Sequence, residues 1–362
     1  MRLEVNGVQY TNFTSAKCQI RLDSLSNSFS FNAVAPGGQA LPFKATDPCS
    51  VIVDGEKVLT GNIEIVSVDY DGTDHIIAVS GRDKTADLLD STIGNIDDLG
   101  GENLTLKALI EQVIAHVGAS IAVIDEASPE PYSAAEDIAA PEPGDNAFSF
   151  IETYARKRQV LLTSNGDGNI VITTNSGIKA AGAVQHIIGA EDNNVMQSNF
   201  SYDTTGRYNA YRMASGLNPV PSNNAGDIDL AALVSQGGGV FDDEIRAGRQ
   251  LVLVAEAPFS DSNCESRAKW EANIRKARGL IYSATVPLFR VGGDSGNLWA
   301  INRLYRIVDD YVGKSESMLC NSVEFSYDVD SGRNTSLGFV GKKAYTLFLE
   351  PDKYAEVASN VA

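Results

Sequence analysis

Histidine is scarce, with only His75, His116 and His186 in 362 residues. None stands at the H-E-x-x-H spacing of a zinc protease, and none has the Ala-Ala-His-Cys surroundings of a trypsin-like base. Cysteine is equally sparse. Cys18, Cys49, Cys264 and Cys320 form no C-x-x-C pair and have no histidine at zinc-ligand spacing, so they read as reduced core thiols. No uncharged apolar run of about 18 residues occurs, and MRLEVNGVQY at the start lacks the apolar centre of a signal peptide. The expectation is a soluble chain with no export signal or membrane anchor. The glycosylation triplets at Asn12, Asn103 and Asn334 then carry little weight, because that modification needs a secretory route. Basic charge is also short: 29 Lys and Arg face 47 Asp and Glu, a formal charge of −18. Nucleic acids and anionic membranes are bound with the opposite balance, so the composition argues against both. No P-loop and no G-x-G-x-x-G after a strand is present.

What remains is an ordinary folded composition, 43% hydrophobic and 21% charged, long enough for two or three domains at about 150 residues each. Residues 1–95 read as a run of strands. Asn6-Gly7, Asp54-Gly55 and Asp71-Gly72 are turn signals, and Ala16, Cys18, Ile20 and Leu22 alternate with polar residues. Further strands are expected at Phe29 to Ala33, Val51 to Val53, Val58 to Tyr70 and His75 to Ser80, with a short helix over Lys84 to Leu89. Residues 96–192 change character. A helix carries Leu106, Leu109, Ile110, Val113, Ile114 and Val117 on one face and stops at Gly118, and a second helix starts from an Asn146 cap. Between them Glu126 to Gly144, rich in Pro, Ala and acid, reads as a long surface loop.

From 193 to 345 the β pattern returns, with strands expected at Met196 to Tyr202, Tyr208 to Met213, Leu251 to Ala255, Leu280 to Leu288, Trp299 to Val308 and Met318 to Tyr327. A Gly, Asn and Asp rich insertion at 216–248 reads as a projecting loop that can pack with the α+β domain. A helix is framed by a Ser262–Glu265 capping box and by Gly279, and residues 346–362 form a tail. The fold class expected is mixed and mainly β: two tube-like β-barrel domains, 1–95 and 193–345, flanking a small α+β domain at 96–192. Two β units around one α+β unit suggest a duplication, although no identity aligns them.

Three segments imitate active sites. Gly293-Asp294-Ser295-Gly296 looks like a serine-protease nucleophile, but no histidine and acid stand in the matching roles, and its composition is that of a turn. Asn165 to Asn169 resembles the start of a calcium loop, yet the sixth position is Ile170 and the twelfth is Ser176. Asp69, Asp71 and Asp74 flank a turn and read as solvated. Paired carboxylates are too numerous to mean anything without geometry. The sequence gives no positive sign of catalysis, metal or cofactor.

One segment has a known look. Gly81-Arg82-Asp83-Lys84-Thr85-Ala86-Asp87-Leu88-Leu89-Asp90-Ser91 is similar to the signature of the Mu-like baseplate hub proteins (the Mu tail protein P family) of contractile-tailed bacteriophages. Arg267 to Asn273, Arg278-Gly279-Leu280, Thr285 to Pro287 and Gly296-Asn297-Leu298-Trp299 agree in order, as do Met318-Leu319, Tyr327-Asp328, Gly332 and Thr335 to Leu337. The resemblance runs from about residue 40 to 350, with 126–144 and 216–248 fitting least well. It implies a non-enzymatic structural virion protein of the tail baseplate, assembled in the bacterial host cytoplasm. It implies a homotrimeric ring whose pseudo-sixfold face meets the tail tube or its initiator and whose threefold face receives the central spike. Baseplate wedge and tape measure proteins would be further partners, and DNA would pass through without specific binding. On this reading Gly81, Arg82, Asp83, Lys84, Thr85, Asp87, Trp270 and Trp299 are structural or interface residues, with Arg82 and Asp83 pairing to pin the helix or to hold a neighbouring subunit. Two rival readings are a tail-tip carbohydrate-binding or adhesin-like β protein and a tail-associated glycan hydrolase.

Overall fold

The computed structural model describes residues 1–34, 42–70, 75–94, 103–132, 140–214, 240–254 and 261–346. The chain begins with β1 (Arg2–Val5), β2 (Val8–Tyr10), β3 (Ser15–Arg21), β4 (Ser28–Val34), β5 (Pro48–Val53), β6 (Glu56–Tyr70) and β7 (His75–Asp83). Asn6 and Gly7 take φ of 51° and 80°, and Asp54 and Gly55 take 45° and 89°, the positive pair whose twist suits a two-residue hairpin. Those turns fix the register, Leu3 opposite Tyr10 and Val53 opposite Glu56. The alternation of β3 buries Ala16 and Cys18 and leaves Lys17 outside. The turn signal at Asp71-Gly72 lies outside the described residues.

The middle of the chain forms α1 (Ala86–Asp90), α2 (Leu106–Val117), β8 (Val123–Asp125), α3 (Ala147–Lys157), β9 (Leu161–Ser164) and β10 (Ile170–Thr173). The caps act as the sequence indicates. Gly118, at φ 77°, returns its N–H to Ile114, and the Asn146 side chain accepts from Ser149 N at 2.9 Å. β10 pairs parallel with β8 and antiparallel with β9, and Leu109, Ile110, Val113, Ile151 and Ile170 close the core between helices and sheet. The segment read as a long surface loop is anchored at Tyr132, which is 2% exposed and whose hydroxyl donates to the Tyr154 carbonyl at 2.8 Å. Residues 133–139 of that loop lie outside the described residues.

The last part comprises β11 (Lys179–His186), β12 (Gln197–Tyr202), β13 (Ala210–Ala214), β14 (Val240–Phe241), β15 (Gln250–Val254), α4 (Asp261–Gly279), β16 (Leu280–Pro287), β17 (Leu304–Asp309), β18 (Lys314–Asp328) and β19 (Gly332–Gly341). β11 and β19 were not anticipated, and β17 starts five residues after Trp299. The insertion read as a projecting loop ends in β14, part of a small sheet with β13 and β15, while 216–239 lie outside the described residues. α4 is already helical at Asp261, so Ser262 sits inside its first turn and not at its cap. The helix is a spacer between sheets: Ala268 and Ala272 pack on Tyr211 and Val240, while Trp270, Ile274 and Ala277 pack on Leu22, Leu319 and Val340.

Strands from both ends of the chain join one 13-stranded sheet in the order β12-β16-β19-β18-β3-β4-β7-β6-β5-β1-β2, with β17 on β18 and β11 on β17. No pairing closes either half into a barrel among the described residues. The duplication nevertheless stands out in the topology. The neighbours β3-β4-β7-β6-β5-β1 are repeated as β12-β16-β19-β18-β17-β11, and within each set the strands follow one another along the chain in the same order. β6 and β18 are both 15 residues long, and each carries an irregularity at the corresponding place, at Ile63/Ile65 against β7 and at Cys320/Ser322 against β19, while β6 has a second one against β5 at Val58. One difference remains: β1 runs antiparallel to β5, whereas β11 runs parallel to β17. The two halves meet where β3 pairs with the far half of β18. Phe29, Phe31, Phe289, Phe325 and Phe339 fill the common core, each worth about 1.5–3 kcal/mol of burial.

Candidate functional site

The segment Gly81 to Asp87 carries the chain from the end of β7 into α1, and successive residues face opposite sides of the sheet. Gly81 has no room for a side chain, because a Cβ there would lie 2.0 Å from the Asn62 carbonyl oxygen of β6. Arg82 points outward. Its guanidinium grips both oxygens of Glu64 on β6 at 2.9 Å and also Asp90 at the end of α1, tying sheet to helix. Asp83 points inward and is 2% exposed. Arg82 and Asp83, expected to pair, do not pair with each other, since neighbouring strand residues project to opposite faces.

Among the described residues no cation pairs with Asp83; its partners are hydroxyls and an amide. One carboxylate oxygen accepts from Ser26 Oγ at 2.9 Å and Thr85 Oγ1 at 2.6 Å, and the other from Asn27 N at 3.0 Å and Ser164 Oγ. Burial pushes its pKa above 3.8, and the four donors pull it back without cancelling the rise. Ser26 and Asn27 belong to the β3–β4 turn and Ser164 to β9, so this carboxylate joins the first β unit to the α+β unit. Asn27 Nδ2 donates to Ser164 at 2.8 Å, Thr60 Oγ1 to the Gly166 carbonyl at 2.7 Å, and Lys57 meets Asp167 at 2.5 Å across the same seam. The Asn165 to Asn169 segment is thus a hairpin turn docked on β6, in which Asn165 Oδ1 accepts from Asp167 N and Asn169 N. The Lys84 amide donates to Thr60 at 3.1 Å, and Asp87 lies exposed on α1.

Trp270 is buried in α4 under Arg267, whose guanidinium lies 4.7 Å from its ring, and Trp299 is buried against Tyr305 at 5.0 Å. No residue of the Gly81–Asp87 segment belongs to the packing cluster of either tryptophan. Sequence reasoning missed Arg207, which is fully buried and forks onto Asp242 at 2.7 and 3.0 Å while also reaching Glu244 at 2.5 Å. Lys276 of α4 meets the same Glu244 at 2.7 Å, so the network locks the small sheet to the helix. Nothing in the spacing of Arg207 and Asp242 announces it, because most of the insertion separates them.

Three family models match the chain in order. Residues 1–83 match the N-terminal part of the Mu phage baseplate assembly protein GpP-like family, 85–174 the second domain of baseplate hub protein gp44-like, and 260–347 the fourth domain of Mu phage baseplate assembly protein GpP. The baseplate hub protein gp44 of Escherichia phage Mu is 24% identical over 355 residues, spanning 97% of this chain and 90% of that protein. The 43 kDa tail protein of prophage MuSo2 from Shewanella oneidensis superposes with a TM-score of 0.76 at 28% identity, over 95% of this chain and 98% of that one. The chain belongs to the Mu-like phage baseplate hub proteins.

The fold is shared more widely than the sequence. The E. coli c3393 protein, a component of the type VI secretion system, matches at a TM-score of 0.58 with 11% identity, over 97% of this chain and 80% of that one. In this hub protein two of the sequence imitations of active sites, Asn165 to Asn169 and Gly293 to Gly296, are turns, while Asp71 and Asp74 of the third lie outside the described residues. Gly293 to Gly296 closes on itself through Gly296 N to the Gly293 carbonyl at 3.1 Å, and Arg333 holds Asp294 at 3.2 Å. His116 accepts from Gly94 N at 3.2 Å, and His186 lies 3.5 Å from Asp309. Among the described residues no group of three or more His, Cys, Asp or Glu is placed to hold a metal ion. Asp309 instead fastens the β17–β18 turn, accepting from Tyr282 at 2.8 Å and from Tyr311 N at 3.0 Å. Its burial raises the pKa, but these donors, Val312 N and His186 outweigh it and leave the carboxyl below 3.8.

Proposed function

We propose that this hub protein works as a homotrimeric ring that adapts the sixfold tail tube to the threefold central spike. The observation that carries the reading is the repeated strand order. Two units of one topology in each of three chains present six similar surfaces, so a threefold body can abut a sixfold one with its strand edges matched. The division proposed is two β units, 1–95 and 193–345, around an α+β unit at 96–192, with β11 (Lys179–His186) joining the second β unit through β17. The residues Gly81 to Thr85, Asp87, Trp270 and Trp299 serve structure or subunit contact and do no chemistry. The partners are the spike, the tail tube or its initiator, the wedge and the tape measure protein, and assembly takes place in the bacterial host cytoplasm. A Francisella PdpA-VgrG complex of similar fold gives a precedent for assembly of this architecture with another protein. Acidic side chains toward the bore would repel DNA phosphates and let the genome slide.

Light scattering of the purified protein tests the reading. A mass near three times 38.6 kDa is expected, and a mass of one chain at every protein concentration, with spike present or absent, overturns it.

A further inference from the structure

Resting on the ring reading above, we infer that the β9–β10 hairpin of the α+β unit is a brace: it spans the junction of the two β units and fixes the angle between them. Among the described residues the strand pairing at that junction is a single ladder, β3 on β18, over a shared core. Paired strands take twists from roughly −10° to −35°, so one ladder does not by itself select one angle. A ring of six similar units needs a sixth of a turn at each step, and a head-to-tail contact that misses its rotation stays open.

The hairpin touches both units and the junction between them. Its turn stands on β6 of the first unit, where Thr60 Oγ1 donates to the Gly166 carbonyl at 2.7 Å and Lys57 meets Asp167 at 2.5 Å. A Cβ at Gly166 would lie 2.4 Å from the Lys57 carbonyl oxygen, and one at Gly168 would lie 2.5 Å from that of Thr60, so the turn is seated without a gap. The middle of β9 lies on the junction. Thr163 Oγ1 donates at 3.0 Å to the carbonyl of Arg21, which pairs with Ser322 of β18, and Leu161 packs on Leu22, Leu319 and Val340, drawn from both units. The open end is held by the second unit. Asn302 Nδ2 donates to Thr173 Oγ1 at 3.3 Å and to the Thr174 carbonyl at 2.9 Å, and its Oδ1 accepts from Ser176 N at 2.9 Å. Asn175 Nδ2 donates to the Lys342 and Ala344 carbonyls, each at 2.8 Å.

The hairpin is stiff enough to act as a strut. Its register, from Ile170 opposite Ser164 to Thr173 opposite Leu161, sets the span between its two feet. Leu162, Ile170 and Ile172 pack into the core with Val113 of α2 and Ile151 of α3, so the helices back it. The second foot is itself fixed, since Asn302 is 8% exposed and its N–H donates to the Cys320 carbonyl of β18 at 2.9 Å. Among the described residues no ladder joins the sheet of the hairpin to the large sheet, so these side-chain contacts and close approaches decide where it stands.

The test reads the distance between Ser67 of β6 and Gln197 of β12, exposed positions in the two units that take no part in the contacts above. Both are replaced by Cys and spin-labelled in a Cys264→Ser background, with labelled chains diluted in unlabelled ones so that only distances within one chain are read. Gly166→Ala forces the turn off β6, and Asn302→Gly removes the other foot while tolerating the φ of 56°. Each is expected to widen the distance distribution, and the double variant to widen it no further, because a strut with one end free holds nothing. Distributions as narrow as in the unsubstituted protein, with a lowered thermal midpoint only, mean local stabilisation and overturn the brace. As a second arm, Thr60→Val with Lys57→Ala empties the first foot without crowding it and is expected to widen the distribution, whereas Thr60→Ser with Lys57→Arg, which keeps both contacts, is not; equal distributions overturn the brace. By light scattering the braceless variants are expected to give a spread of species in place of three chains. Variants that still close at three chains with narrow distances overturn the brace and leave the ring reading standing. Widened distances in a protein that has single-chain mass even before substitution support the brace and overturn the ring reading.

Discussion

Asp83 shows how one buried carboxylate can hold two units together without a counter-charge. Its two oxygens take four donors from the β3–β4 turn, the residue before α1 and β9, and deleting them removes an acceptor from each, at about 1–3 kcal/mol for a buried group left unpaired. Asp83→Ala is expected to lose at least about 3 kcal/mol of unfolding free energy by denaturant titration, and Asp83→Asn less, since the amide keeps one acceptor. The neighbouring strand position could be read from sequence as part of a signature, but its partners could not: Ser26, Asn27 and Ser164 are ordinary turn and strand residues until the chain folds. Asp83 and Asp309 also titrate with opposite consequences. A carboxyl raised above 3.8 favours the fold most when protonated, so the Asp83 contribution falls as pH rises through its folded pKa. A carboxyl held below 3.8 adds stability above that value and loses it as pH falls through the folded pKa. The difference in thermal midpoint between the protein and Asp309→Asn is therefore expected to be full above pH 3.8 and to vanish on further acidification.

Among the elements, α2 and α3 were legible and β11 and β19 were not. The helices carry their own signals: apolar residues at helical spacing, Asn146 before one and Gly118 after the other. β11 reads Lys-Ala-Ala-Gly-Ala, residues with little strand preference, and it is a strand because β17 offers it a hydrogen-bonding edge. β19 opens and closes on glycine, a turn signal, and is held between β16 and β18. The small sheet and α4 depend on Arg207 in the same way. Arg207→Ala leaves Asp242 and Glu244 without their buried cation, a loss of about 3–5 kcal/mol when one partner of a buried pair is removed. Hydrogen exchange is expected to accelerate in β13, β14, β15 and α4, while β3, β4 and β7 stay protected. Arg207→Lys is expected to recover only part, since one ammonium cannot replace Nε and Nη2 on Asp242 together with Nη1 on the Tyr202 hydroxyl.

For the whole molecule the decisive feature is that its halves share one sheet and one core while repeating one topology. The formal charge of −18 is repeated in each copy of an assembly, which favours solubility and repels polyanions. Duplex DNA is expected to show no retention by the protein even at low salt, where phosphate binding is strongest, in a mobility-shift measurement. Tight low-salt binding would remove the proposed free passage of the genome and leave the proposed symmetry-adapting role untouched. The outward groove lined by Lys17, Glu64, Arg82 and Glu324 is mixed in sign, consistent with a surface that offers no continuous phosphate track.

The sequence by itself determined the class of fold, the positions of the capped helices and the tight hairpin turns, because periodicity, caps and positive-φ dipeptides act within a few residues of themselves. It also carried the resemblance that placed the chain among the hub proteins. Only the tertiary structure decided that two ends of the chain, unalike in residues, repeat one strand order and meet at β3 and β18. Hydrogen bonds between backbones set that pairing, and backbone groups are the same whatever side chains they carry. Likewise only folding could reveal what Asp83 and Arg207 hold, since apart from Thr85 and Tyr202 their partners come from segments 35 to 81 residues away.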